Sequence, residues 1–298
     1  MKRTHLTVIV AMAVVLSIAG YTEAGWTTLD APGSTGLTVA SGIDDGTIVG
    51  TYSDTNGLHP FIYDGSSWTT FATPDPAWFS DIDGTNIVGS TLDSSGLQTF
   101  IFDGLTQTPL TLPGPAWISG VDGDRVAGTY MDSTGIHGFV HHPTGVPPLT
   151  LIDAPGALLT GARGIDDDNI VGFYLDLSGL HGYVTDGTSW TTLDAPGALL
   201  TSANGIDDGL IVGSYLDAIG AHGFVTDGTS WTALDAPGAL STGALSIDGD
   251  SIVGWYLDAD GVHGFHYRTD VTVPSPGALV LSSFGVGLIG WLRRRKAL

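Results

Sequence analysis

One unit of about 40 residues recurs six times between residues 25 and 267, and this recurrence limits the fold more than any other feature. Its anchor is Ile-Asp or Val-Asp, at Ile43, Ile82, Val121, Ile165, Ile206 and Ile247, with spacings of 39, 39, 44, 41 and 41 residues. Behind each anchor stands Ile-Val-Gly or Val-Ala-Gly, then a segment of the form Asp-x-x-Gly-x-His, as at Asp132–His137 and Asp176–His181. A period near 40 belongs to solenoids, propellers and arrays, in which each unit buries its apolar surface only against its neighbours.

The grammar of a single unit predicts four short strands. In residues 201–235, "TSANGID" is the first, closed by an Asp-Asp-Gly turn, and "LIVGSYLD" is the second. "AHGFVTD" is the third, an Asp-Gly turn follows, and "SWTALD" is the fourth. Asp-Gly between apolar runs is a strong hairpin signal. The longest connection follows the fourth strand and is therefore the crossing to the next unit. The first strand carries small residues, as a crowded inner strand requires. The second is apolar on both faces, as a strand between neighbours should be. Trp26, Trp68, Trp190 and Trp231 open the fourth strands and bring large buried area.

The ends of the repeat region decide closure. It starts with a lone fourth strand, "GWTTLDAPG" at 25–33, and finishes with a lone third strand, "VHGFHY" at 262–267. The expected fold is thus all-β, a six-bladed propeller of four-stranded antiparallel blades. Its last blade is completed by the N-terminal strand, which removes exposed edges. An open β-solenoid is the alternative, but an offset fragment at each end would then serve no purpose.

Charge narrows the partners. Residues 25–270 hold three arginines (Arg125, Arg163, Arg268) against thirty aspartates, with no lysine and no glutamate. Aspartate without glutamate is a signature of turns, because its short carboxylate bonds nearby backbone. So acidic a surface excludes nucleic acid and anionic membrane as ligands. With no cysteine, disulfides and a thiol nucleophile are excluded.

Both ends read as addresses. Residues 1–24 carry Lys2 and Arg3, an apolar stretch Leu6–Ala19, and Thr22-Glu23-Ala24 before Gly25, the pattern of a cleaved secretory signal. At 271–298, Pro274-Ser275-Pro276 precedes about 15 apolar or small residues, Ala278–Leu292, and the basic run Arg293, Arg294, Arg295, Lys296. As a helix that stretch rises about 22 Å, short of a ~30 Å hydrocarbon core. Helices are expected in both segments. The C-terminal pattern resembles the PEP-CTERM sorting tail of Gram-negative bacteria, with Ser275 in place of the family's central glutamate. The resemblance implies an exosortase-type processing partner, transient anchoring in the inner membrane, and release to the cell surface or beyond.

The repeat itself, "GIDDGTIVG" followed by "HGFV", resembles the HAF extracellular repeat over residues 25–267. Ile-Asp replaces that family's Ile-Asn, and glycine replaces the alanine after histidine. The resemblance implies an extracellular location and no settled activity.

Candidate sites follow from the repeat and its irregularities. His59, His137, His181, His222 and His263 recur at one place, with Gln98 in unit two. Their hairpin partners are Asp54, Asp93, Asp132, Asp176, Asp217 and Asp258. His137, His181, His222 and His263 are therefore candidates to face a ligand; the competing expectation is a turn capped by aspartate and braced by histidine. Trp78 and Trp117, in the shortened crossings "PDPAWFS" and "PGPAWIS", are candidates for sugar stacking beside a channel or for filling space. Calcium has weak candidates in Asp166, Asp167, Asp168, Asp258 and Asp260, which match no EF-hand loop; no other cofactor is expected. Arg125 is expected in a turn between first and second strands and Arg163 in a crossing between units, on opposite faces. That leaves no convergent arginines, and no Gly-x-Ser-x-Gly elbow occurs either. "DGTSW" at 186–190 resembles an Asp-box one residue short, itself a fold-stabilising turn. The expected function is an exported, non-catalytic interaction scaffold of the cell surface or extracellular matrix. Its partner would be extracellular polysaccharide or a surface protein. A secreted carbohydrate-binding or carbohydrate-hydrolysing propeller is the alternative.

Overall fold

Hydrogen bonding in the computed structural model, which describes residues 25–73, 75–112, 114–142 and 147–269, gives 24 strands and no helix. The expected terminal helices, with Ala24, Pro274, Pro276, Arg293, Arg294 and Arg295, lie outside the described residues. Every repeat unit is a four-stranded antiparallel meander. Unit five runs Leu200–Asp207, Leu210–Leu216, Ala221–Thr226 and Trp231–Leu234, innermost strand first. The last sheet is completed by the N-terminal strand, Gly25–Leu29, which pairs antiparallel with Val262–Arg268 from Gly25 opposite Arg268 to Leu29 opposite Gly264.

The expectation of six separate sheets needs correction. Four units form separate four-stranded sheets, whereas units four and five share one eight-stranded sheet. The join is a single parallel bridge between Leu180 and Leu200, where the third strand of one unit meets the start of the next unit's first strand. Leu37 and Val262 make the same contact between units one and six as an isolated bridge. A one-residue contact of this kind leaves no pattern in sequence, because any residue supplies the backbone groups it needs.

The core lies between adjacent units. Val171 of unit four packs with Ala203, Ile206, Ile211 and Phe224 of unit five, all buried. The glycine of the Ile-Val-Gly motif has a defined task. In register, Gly50 faces Phe61, Gly89 faces Phe100, Gly128 faces Phe139, Gly172 faces Tyr183, Gly213 faces Phe224 and Gly254 faces Phe265. Each ring lies on the space a Cβ would fill; at Gly213 a Cβ would sit 2.6 Å from the Phe224 ring. The fourth-strand tryptophans cover four of these rings, with Trp26, Trp68, Trp190 and Trp231 at 4.7–5.0 Å from Phe265, Phe61, Tyr183 and Phe224.

Tyr183 is the one hydroxylated ring of the six, and its buried hydroxyl meets no hydrogen-bond partner. Burial accordingly holds its ionisation far above the ordinary range. Leaving a buried hydroxyl unpaired costs on the order of 1–3 kcal/mol. Tyr183→Phe is therefore expected to stabilise the protein by about 1 kcal/mol, measured as a rise in urea midpoint with unchanged slope. A loss of stability would mean that the hydroxyl is satisfied in solution.

Candidate functional site

Each first strand contains a β-bulge, and each bulge re-aims one side chain. The register slips between Ala40 and Gly42, Phe79 and Asp81, Ile118 and Gly120, Ala162 and Gly164, Ala203 and Gly205, and Ala244 and Ser246. The extra residues are Ser41, Ser80, Ser119, Arg163, Asn204 and Leu245, and all six line one axial cavity of about 590 Å³. Bulges commonly aim side chains at functional sites in this way. Arg163, expected in a crossing between units, is thus on an inner strand, Leu159–Asp166. The crossing ends earlier than the sequence suggested because "LTGA" already pairs with the second strand.

The cavity wall is asymmetric. Trp78 and Trp117 project from first strands in units two and three, opposite Ser90 and Thr129 on the second strands. In unit four the large residue comes instead from the second strand, Phe173, opposite Gly161, whose Cβ would lie 2.6 Å from that ring. Arg163 lies over Phe173, with its guanidinium carbon 5.2 Å from the ring centre. Arg163 is exposed on the cavity wall, although neighbouring protein partly surrounds its guanidinium. The resulting desolvation lowers its pKa. The two candidate tryptophans therefore meet in one cavity. No carboxylate is among its lining residues.

The carboxylates gather at the other end. Asp44, Asp83, Asp122, Asp166, Asp207 and Asp248, the aspartates of the six anchors, line a small pocket of about 100 Å³. They form a belt from unit to unit. Asp44, Asp83, Asp166 and Asp207 accept the backbone N–H of Gly84, Gly123, Asp208 and Gly249 in the following unit, at 2.7–3.0 Å. Across the closure the backbone of Asp45 faces the Asp248 carboxylate and works against the rise of its pKa. At the remaining joint Arg125 donates to Asp122 and reaches Asp168 of the next unit at 3.8 Å. Burial raises Asp44, Asp166 and Asp248 above the ordinary carboxylate range, against the hydrogen bonds they accept. Asp81 stands where four units have glycine and unit six has Ser246. Burial, helped by Asp83 and Asp44, pushes it up to about 7, although Val121 donates to it at 3.1 Å.

The histidines do not join the tryptophans. His137, His181, His222 and His263 each give Nδ1 to a second aspartate: Asp153, Asp194, Asp235 and Asp30, at 2.8–2.9 Å. These are the aspartates that open the Asp-Ala-Pro-Gly crossings. On the other side of each ring stands the hairpin aspartate, Asp132, Asp176, Asp217 or Asp258, at 3.2–3.5 Å. Burial opposes the charge on His222 and His263, but the paired carboxylates outweigh it and raise both. Nε2 bonds the Thr134 hydroxyl in His137, the Ser178 hydroxyl in His181 and Asp258 in His263, while that of His222 is buried without a hydrogen-bond partner; the rings thus tie hairpin to crossing, as the bracing expectation has it. The "LDAPG" recurrence was the available signal for the second partner. His59 keeps only Asp54, at 3.0 Å, because Ala72 replaces the crossing aspartate. Gln98 likewise bonds within its own hairpin, to Ser95.

The calcium candidates split between opposite ends of the units. Asp166 is in the belt, Asp167 holds the turn at φ 48°, and Asp168 is exposed beside Arg125. Asp258 caps a hairpin at the far end by accepting the N–H of Asp260 and Gly261. Among the described residues no group of three or more potential ligands is arranged to hold a metal ion. Asp186, in the stretch resembling an Asp-box, accepts from Ser189 and Thr188, which hold it at about 2; it meets no histidine.

A ring of four-stranded antiparallel units around an axial cavity defines a β-propeller. The fold is shared with TolB from Acinetobacter baumannii at TM-score 0.54 and 14% identity, over 76% of this chain and 64% of that one, so this chain spans less than two thirds of that TolB. An uncharacterized protein of Listeria monocytogenes EGD-e aligns at TM-score 0.48 and 13% identity, over 76% and 78% of the two chains. The β-propeller domain of the Trilobed protease from Pyrococcus furiosus aligns at 0.48 and 10%, over 81% and 100%. No family model and no curated protein matches the chain.

Proposed function

We propose that this chain is an exported cell-surface or matrix protein whose propeller is a non-catalytic binding scaffold, with the axial cavity as its ligand site. The observation that carries this reading is where the repeats differ. The capped hairpins, belt and glycine–aromatic pairs recur from unit to unit, whereas the bulge residues read Ser, Ser, Ser, Arg, Asn and Leu. Repeat proteins hold the frame constant and put recognition where the units vary. We count six blades, taking the eight-stranded sheet as two units joined by one bridge. The volume lies within the range of small-ligand sites, and its indoles suit the apolar face of a sugar.

The hydrolysing alternative has less support. Glycoside cleavage uses two carboxylates flanking the bond. The wide cavity has none on its walls, and the pocket holding them is too small for a sugar. Export and tail processing rest on the signal-like start, the Pro-Ser-Pro tail and the likeness to HAF repeats. An exosortase-type enzyme would be the processing partner and extracellular polysaccharide the main candidate ligand.

Two measurements test the reading. Secreted or surface-released protein is expected to have an intact mass starting near Gly25 and ending near Pro276; a mass retaining residues 278–298 would remove tail processing. Thermal melts of the intact protein against a panel of oligosaccharides are expected to show shifts that disappear in a Trp78→Ala, Trp117→Ala double variant. Shifts unaffected by that variant would place the ligand elsewhere.

A further inference from the structure

We infer that the axial cavity selects a ligand bearing one carboxylate on a flat, ring-shaped body, with Arg163 as the group that recognises the carboxylate. This rests on the reading of the cavity as a ligand site. Arg125 pairs with two carboxylates. Arg163 has none. Among the described residues no acceptor lies within hydrogen-bond or ion-pair distance of it, and its recorded contact is the Phe173 ring. A guanidinium offers five donors in a planar fork, and Arg163 presents that fork on the cavity wall. A carboxylate meets two of them side by side, which a hydroxyl cannot do.

The surroundings define the rest of the ligand. Trp78 and Trp117 stand on the same wall in the two preceding units, so an acid held by Arg163 has indole faces for its body. Ser80 and Ser119 add hydroxyls at the matching bulges. The six-aspartate belt at the end of the axis opposes entry of a polyanion, because each further negative charge adds repulsion. One charge, matched by one arginine, is the favoured count. Two sources share this chemistry: a uronic acid and an aromatic acid.

The test uses the intact protein, titrated by intrinsic tryptophan fluorescence with D-glucuronate against D-glucose and benzoate against benzamide. The variant is Arg163→Ser, the residue three other units hold at this bulge, so the fold is kept. Arg163→Lys is the second variant, retaining charge without the fork. We expect at least one acid to bind roughly tenfold or more tighter than its neutral partner. We expect R163S to abolish that preference and R163K to leave an intermediate one. The pair that responds identifies the source. Equal binding of acid and neutral partner, or a preference that survives R163S, overturns the inference while the tryptophan-lined ligand site stands. Absence of binding by all four probes, together with no oligosaccharide shift in the melts, removes both.

Discussion

Asp81→Asn is expected to gain stability on the parent protein by a few kcal/mol as pH rises from 4 to 8. Asp81 is pushed from an ordinary 3.8 to about 7 by burial. In the unfolded chain it loses its proton near 4; in the folded protein it holds it to about 7. Between those values the folded state binds more protons, so parent stability falls as pH rises, by roughly 1.4 kcal/mol per unit of pKa difference at most. Its partial exposure to the channel reduces that figure. Asparagine cannot ionise, so its stability lacks this slope, whatever constant offset the amide brings. Urea midpoints at pH 4.5, 6 and 8 check it; an offset that stays constant across the range would sink the idea. Asp44, Asp166 and Asp248, also raised by burial, act in the same direction. So do His222 and His263, whose raised pKa gives stability present below about 6.5 and lost as pH climbs through the folded value. The hairpin aspartates oppose them at the acid extreme: Asp186 and Asp227, held at about 2 by turn N–H and hydroxyl groups, lose their contribution as pH falls below 4. The stability optimum of the parent is expected between pH 4 and 6.

Gly213→Ala is expected to cost about 3 kcal/mol or more, near the upper end for overpacking. The added Cβ would collide with the Ser202 carbonyl and with Phe224, which is only 1% exposed. Neither backbone nor ring has room to yield, because Trp231 packs over Phe224 at 4.8 Å. For a domain of this size the melting temperature should drop by roughly 6–12 °C. Gly187→Ala is the control. A Cβ there meets nothing within 4 Å, and its φ of 82° makes the penalty conformational alone. If Gly213→Ala costs no more than Gly187→Ala, the glycine–aromatic pair does not limit the packing.

Much of the frame was legible because turn chemistry and strand period are local. "DDG", "DLSG" and "DGTS" each name a turn, and the apolar runs between them have strand length. The offset fragments at 25–33 and 262–267 announced the closing strand pair, since a lone fourth strand and a lone third strand complete each other. What is not legible locally involves partners one unit away. Asp44 reads as turn chemistry until Gly84 is seen to donate to it 40 positions later. Asp194 reads as the start of a loop until His181 is found bonded to it. The bulges are not legible locally either. Alternation of inward and outward residues fails silently when one extra residue is inserted, so the sequence places Arg163 in a crossing whereas the bulge puts it on the wall of the cavity that Trp117 also lines. Those two tryptophans were singled out only as departures from the repeat, and for recognition departures are the informative positions.

The N-terminal strand that completes the last sheet has a consequence for the order of assembly. The Thr28 and Tyr256 hydroxyls, 2.9 Å apart in that sheet, are separated by 228 residues. Chain-closure entropy rises only with the logarithm of length, so this latch costs about 1.5 kcal/mol more than one spanning a single 40-residue unit. Timing is a different matter. During synthesis the strand at Gly25–Leu29 emerges first, and its partner Val262–Arg268 emerges after every other strand of the ring. For almost the whole of translation one strand waits with unpaired backbone, an edge open to pairing with another nascent chain. The acidity of the chain is distributed along that entire interval. Mutual repulsion between growing chains, supplied by aspartates that later serve as caps and belts, would keep the latch free for its own partner.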